Sequence, residues 1–210
     1  MSADDGTNVE PRRTRDAERT RTAILDAAAD VFLGHGYRGA SIRKVAAQAG
    51  VTHGTIYLYF RDKDDLLYQL SEEHFRQLLA RLRALPRTLD PLARIREAFR
   101  TVVDYGLDAP DHYHLMLAMR PPHIADARER ALGPMAAEVY SFLYDTVALA
   151  ADRQLISADQ VARDAWSLLA AAHGVVELHR AGVSDRDEAL AGADRLIELL
   201  VRGLPDAPST

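Results

Sequence analysis

The side chains best suited to chemistry lie together in SIRKVAAQAGVTHGTIYLYF, residues 41–60. Thr52, His53, Gly54 and Thr55 follow one another there, offering hydroxyl and imidazole hydrogen bonds beside a position without a side chain. That is the chemistry of recognition. Two short elements must position it. Ser41 is a good N-cap for a helix carrying Ile42, Val45 and Ala46, and Gly50 closes that helix as a residue able to take positive φ. Thr52 caps a second helix that ends near Tyr59. Helices crossing at roughly 90–120° need a tight turn, a small residue where the backbones approach, and an apolar residue on the second helix to lock the angle. Gly50, Ala46 and Ile56 fill those roles. With the crossing fixed, the second helix can enter a DNA major groove, where its N-terminal residues, 52 to 55, meet base edges.

The surrounding pattern resembles the TetR family of bacterial transcriptional regulators. It comprises ILDAAADVF (24–32), Gly36-Tyr37, Ser41-Ile42, Val45-Ala46, Ala49-Gly50-Val51, Gly54-Thr55-Ile56-Tyr57, Tyr59-Phe60 and Lys63-Asp64-Asp65-Leu66-Leu67. The resemblance implies an all-α fold, with an N-terminal three-helix helix-turn-helix DNA-binding domain and a C-terminal helical ligand-binding and dimerisation domain. It also implies roles for the matching residues. Ser41 and Lys63 would hold phosphates, through a hydroxyl and helix dipole and through charge. Tyr57 and Tyr59 resemble phosphate-contacting aromatics, and tyrosine at helical spacing is equally ordinary packing. Arg43 is the candidate for a bidentate guanine contact, with Lys44 sharing the groove or lying on phosphate. His53 would donate to a guanine acceptor or lie on the sugar-phosphate chain. Gly54, which costs a helix about 1 kcal/mol relative to Ala, would permit close backbone approach.

Charge agrees with a partner at one end only. The net charge is -5, yet residues 11–61 carry nine basic side chains (Arg12, Arg13, Arg15, Arg19, Arg21, Arg38, Arg43, Lys44, Arg61) against four acidic ones (Asp16, Glu18, Asp26, Asp30). A basic end on an acidic body suits contact with a polyanion. Residues 1–16 read as a disordered basic arm. Arg12, Arg13 and Arg15 either add minor-groove or phosphate contacts or only solubilise. The 48% hydrophobic and 27% charged composition excludes a disordered chain. The absence of cysteine excludes disulfides, thiolate catalysis and thiolate metal sites. No apolar stretch is long enough to span a membrane and Met1 to Asp5 has no apolar core, which points to the cytoplasm. No nucleophile elbow, phosphate loop or dinucleotide loop argues for an enzyme. His112, His114 and His123 are separated by proline with no carboxylate at ligand spacing, so neither a metal nor another cofactor is expected.

The remaining elements read as helices, from about 17 to 33, 62 to 82, 92 to 107, 111 to 119, 125 to 151 with an interruption at Gly133-Pro134, and 157 to 181 behind the capping-box pattern Ser157-x-x-Gln160. The last follows Ser184 as cap and ends near Gly203, leaving a frayed tail after residue 204. The helix-turn-helix domain is set at 17–63 and the helical effector-binding and dimerisation domain at 64–204. Trp166, His173 and Gly174 resemble a Trp-His-Gly pattern of one subgroup of the family. The helix that carries them is apolar or small on most sides and should be buried. With the last helix it suits an isologous four-helix bundle of a homodimer, for which Trp166, Ala170, Gly174, Ala193, Leu196, Ile197 and Leu200 are the interface candidates. Such a pair would read an inverted-repeat DNA operator. Phe99, Val103, Tyr113, Met116, Met119, Met135, Val139, Leu143, Trp166 and His173 are candidates to enclose a small apolar or amphipathic effector, and each also suits plain core. The helix from Asp62 to Leu82 would act as lever, making the protein a ligand-released repressor.

Overall fold

The computed structural model describes residues 10–118 and 133–204. Their regular structure is helical throughout: α1 (Glu10–Gly39), α2 (Ile42–Gln48), α3 (His53–Tyr57), α4 (Lys63–Arg83), α5 (Pro91–Asp108), α6 (Pro110–Ala118), α7 (Pro134–Asp152), α8 (Val161–Arg180) and α9 (Arg186–Arg202). Among the described residues there is no strand, and no helix is long and apolar enough to cross a membrane. The chain forms two compact units, residues 1–70 and 71–210, divided within α4. Met119, His123 and the stretch expected to be helical from Ala125 to Gly133 lie largely outside the described residues, as does the tail after Leu204.

In the N-terminal unit α1 begins at Glu10, so the stretch read as a loose arm is helical from there on. Arginine, glutamate and alanine are good helix formers, and Pro11 sits in the first turn, where a missing N–H costs nothing. The helix also runs past Leu33 to Gly36, whose φ of 65° breaks it ahead of Tyr37. The expected stripe Ile24, Ala28, Val31 and Phe32 is buried, and the unit buries Ile42, Val45, Ala46, Ile56, Phe60, Leu66 and Leu67 as well.

In the C-terminal unit α5 is central, packing against α6, α7, α8 and α9. Asp90 caps it by accepting from the N–H groups of Leu92 and Ala93. Gly106 brings α5 against α8: a Cβ there would stand 2.5 Å from one methyl of Val176 and 2.9 Å from the other. Arg96 with Glu198 and Arg100 with Asp194 link α5 to α9. The buried carboxylate of Glu72 accepts from the N–H of Met135 at 3.1 Å, serving the start of α7, whose Gly133 cap has no side chain to do so. Two expected caps differ. Ser157 accepts from Asp159 and caps a single 3-10 turn, Ala158–Gln160, and α8 starts only at Val161. The last helix is capped by Asp185 in a complete capping box with Glu188, not by Ser184.

Candidate nucleic-acid interface

The turn between α2 and α3 is closed by its own backbone. Gly50 takes φ of 66°, and the N–H of Val51 donates to the Ala46 carbonyl at 3.0 Å. Ser41 accepts from the N–H of Lys44 at 3.3 Å, and Thr52 from that of Thr55 at 3.1 Å. Each therefore satisfies one of the N–H groups that a helix start leaves without a partner. Ala46 and Ile56, assigned to the crossing, are buried. The opposite faces carry the recognition candidates. Arg43, Lys44, Thr52, His53, Gly54 and Tyr57 are exposed, whereas Thr55 and Tyr59 are half-buried.

These groups differ in how firmly they are held. The hydroxyls of Thr52 and Thr55 are paired at 2.7 Å. His53 meets the Tyr57 ring edge-on, with centroids 5.0 Å apart, one turn along α3. Lys44 donates to the Gly39 carbonyl at 2.9 Å. Arg43 has no ion pair or hydrogen bond among the described residues, so its guanidinium keeps all its donors. A Cβ on Gly54 would meet only Thr52 Oγ1, at 3.8 Å, so the protein's own packing does not require glycine there.

Lys63, expected from the resemblance to hold a phosphate, is also tied into its own unit. Its ammonium donates to the carbonyls of Tyr37 at 2.8 Å and Ala40 at 3.3 Å, and lies 4.1 Å from the centre of the Tyr37 ring. The Tyr37 hydroxyl in turn donates to the Asp64 carboxylate. Lys63 thus ties the chain just ahead of Ser41 to the start of α4, and positions α2 as much as it offers charge. The sequence reading also passed over Leu58, which is 81% exposed at the C-cap of α3. The signal for it was available: Leu58 falls two positions after the buried Ile56, off the inward face of the helix. Of the basic arm, the side chains of Arg12 and Arg13 lie outside the described set, and Arg15 is exposed on α1.

The C-terminal unit sorts the other candidates. Phe99, Val103, Tyr113, Met116, Val139 and Leu143 come together as members of one core, while Met135 and His173 are half-buried. Tyr113 and His173 are hydrogen-bonded through the hydroxyl and Nδ1. Burial drives the tyrosine pKa upward and holds the histidine down to about 4, with Glu177 opposing the latter. Trp166 corrects the sequence reading: it is 62% exposed, on the surface of its protomer rather than in its core. With Ala170, Gly174 and Leu178 it forms an exposed stripe on α8, so that helix is not buried on most sides. On α9, Ala193 and Ile197 point into the protomer's own core, Gly192 and Leu199 are exposed, and Leu196 and Leu200 are half-buried between the two faces. A separate open cleft of about 450 Å³ lies between Arg87, Arg94, Phe142, Asp145, Thr146 and Leu149. Among the described residues no three histidines or carboxylates are grouped to hold a metal ion.

Comparison with known proteins accounts for both units. The family model for bacterial regulatory proteins of the tetR family matches residues 24–70, and that for the tetracyclin repressor-like C-terminal domain matches residues 95–204. The fatty acid metabolism regulator protein of Bacillus subtilis is 37% identical over 91 residues, 42% of this chain and 45% of that protein. The regulator AcrR of Shigella flexneri is 38% identical over 98 residues, 44% of this chain and 45% of that protein. These matches thus span about half the length of the curated relatives. The fold is shared over far more of the chain. FadR from Bacillus subtilis, solved in complex with stearoyl-CoA, superposes with a TM-score of 0.73 at 22% identity, covering 87% of this chain and 98% of that one. A fatty acid metabolism regulator from Clostridium perfringens gives 0.73 at 17% identity, with the same coverage. With one model on the helix-turn-helix and another on more than half of the chain, this protein belongs to the TetR family of bacterial regulatory proteins.

Proposed function

We propose that the chain is a sequence-specific DNA-binding transcriptional regulator that binds an inverted-repeat operator as a homodimer and is released from it by a small apolar or amphipathic effector. The observation that carries the reading is the outward face of α2 and α3. Arg43, Thr52, His53, Gly54 and Tyr57 are exposed on helices whose crossing is fixed by Gly50, Ala46 and Ile56. Arg43 is free to make two parallel hydrogen bonds to a guanine edge, and Gly54 leaves room for close approach. Ser41, Lys44, Tyr57, Tyr59 and Lys63 supply the phosphate side of the contact. The stripes Trp166, Ala170, Gly174 on α8 and Gly192, Leu196, Leu199 on α9 support a symmetric four-helix contact between two copies. Such a pair would set its recognition helices roughly 34–36 Å apart or a multiple of that.

The effector would lodge among the side chains of Phe99, Val103, Tyr113, Met116, Met135, Val139, Leu143 and His173, with Met119 a further candidate. FadR, with the same fold, was solved with stearoyl-CoA, a ligand with a long apolar tail. Helix α4 is continuous from Lys63 to Arg83 and suits the part of a lever, a ligand shifting the population of two arrangements rather than breaking one. Selection of duplexes from a random pool, followed by salt titration of the winner and of its scrambled counterpart, tests the reading. The expected winner is an inverted repeat, bound far more tightly than the scrambled duplex and weakening steeply with salt. Equal affinity for both sequences refutes it.

A further inference from the structure

The recognition face of the N-terminal unit carries one large side chain that neither its core nor the contacts assigned above employ. Leu58 is 81% exposed, more than any other large apolar side chain among the described residues. It stands at the C-cap of α3 with φ -73° and ψ -22°, so the helical path continues through it. Successive residues of a helix turn by about 100°. Leu58 lies two positions after Ile56 and two before Phe60, both of which are buried. It is therefore turned about 160° from each, away from the unit's own core.

Gly54 shares that outermost edge of α3, two positions before Ile56 and one turn before Leu58. A Cβ at Gly54 would meet only Thr52 Oγ1, at 3.8 Å. The edge is thus an empty position followed by an isobutyl group, and the protein's own packing uses neither. The Cα–Cβ bond of a helical residue tilts toward the N-terminus, which brings Leu58 back toward the space that Gly54 leaves. A surface that comes close to the helix at Gly54 meets Leu58 next.

The chemistry of leucine decides what it can meet there. It has no donor or acceptor, so it can neither hold a phosphate nor read the polar atoms of a base edge. Among the groups that base pairs display in the major groove, the C5 methyl of thymine is the apolar one. Contact between the two removes both from water, a gain that the free protein does not have.

We propose that Leu58 is a specificity-determining residue of the recognition face and reads a thymine through its C5 methyl, with Gly54 admitting the helix to the depth at which the two touch. The inference rests on the DNA-binding reading above, and adds to it one base pair in each half-site. It differs in kind from the Arg43 contact, where a guanine is read by hydrogen bonds.

The test uses the full chain and the duplex that selection from a random pool returns. Each thymine is replaced in turn by deoxyuridine, which lacks the C5 methyl and keeps every hydrogen-bonding atom. At least one thymine of each half-site is expected to respond, with binding weakened roughly four-fold per half-site for one methyl withdrawn from contact. Leu58→Ala should weaken binding to the parent duplex by at least that factor, leave its salt dependence unchanged, and abolish the response to deoxyuridine. Leu58→Asn, similar in bulk and polar, should do the same. Because the side chain lies outside the core, both variants should unfold at the parent's denaturant midpoint, and the deoxyuridine scan of the parent protein needs neither. No responding thymine, or a response that persists in both variants, overturns the inference, and a duplex that is selected all the same leaves the DNA-binding reading standing. Selection that returns no preferred duplex strikes that reading, and this inference with it.

Discussion

Replacing Trp166 by Ala separates association from folding, because the side chain lies on the protomer's surface. Burying a tryptophan removes about 150–250 Å² from water. With 62% still open on α8, roughly 90–150 Å² per ring remains to be covered, worth roughly 2–4 kcal/mol at about 25 cal/mol per Å². A symmetric pair covers two rings. Alanine recovers part of that area, so the substitution should cost the proposed dimer at least roughly 3 kcal/mol of association, more than a hundredfold in Kd. The protomer itself should lose nothing, since Ala is the better helix former at an exposed site. Sedimentation velocity across a concentration series, paired with denaturant unfolding of the dissociated protein, reads both quantities. A dimer Kd within three-fold of the parent, or a protomer that unfolds more easily, would show that the α8 stripe is not where two copies meet.

Gly106→Ala drives a Cβ into both methyls of Val176, whose branched side chain cannot swing aside. Overpacking of roughly 1–3 kcal/mol, less about 1 kcal/mol gained in helix propensity, should lower Tm by a few degrees. Gly174→Ala, with nothing within 4 Å, should not destabilise the lone protomer. Arg43→Ala should cost roughly 1–3 kcal/mol and relax preference at one base pair, as read by competition among single-base operator variants. Lys63→Ala should weaken all duplexes alike, and Lys63→Met, which keeps the stem but not the donors, should do the same and loosen the turn that it ties to Tyr37 and Ala40, visible as faster amide exchange there. Stability should also fall with acid. Burial sets His74 and His173 at about 4, below the value of about 6.5 for an exposed histidine, so the unfolded chain binds more protons between those limits. Their contribution is whole above pH 6.5 and is lost on descent toward pH 4. Denaturant midpoints at pH 7.5, 6 and 5 should therefore decline, and His74→Phe should flatten the slope by about one proton.

How much of this was legible in the sequence follows from the range of the forces involved. The turn around Gly50, Ala46 and Ile56 is legible because it is closed by backbone bonds between near neighbours, Val51 to Ala46 among them, and a local geometry leaves a local pattern. The two amended caps are also local, and the error there was one of competition. Ser184 and Asp185 are adjacent candidates, and the aspartate prevails because Glu188 stands three positions on and returns the second bond of the box. Lys63 could not be read in this way. Its ammonium is placed by the carbonyls of Tyr37 and Ala40, more than twenty positions upstream, and no spacing along one helix encodes a bond of that reach.

The register of α8 and α9 exposes a different limit. On α9, Ala193 and Leu196, or Gly192 and Leu199, make equally good apolar pairs at helical spacing, so periodicity finds two faces and cannot say which one meets its own protomer. In the fold, Ala193 and Ile197 turn inward, Gly192 and Leu199 stay exposed, and Leu196 lies half-buried at the edge between the two faces. A helix that must satisfy a core on one side and a second copy on the other is apolar on both, and this two-sidedness is itself the sequence signal. Its physical consequence can be measured. Ile197→Asp should unfold the protomer, because an unpaired charge would enter the core, whereas Leu199→Asp should leave it folded and monomeric. If both substitutions unfold the chain, or neither alters its mass in solution, the outward stripe has no partner and the two-faced reading of α9 fails.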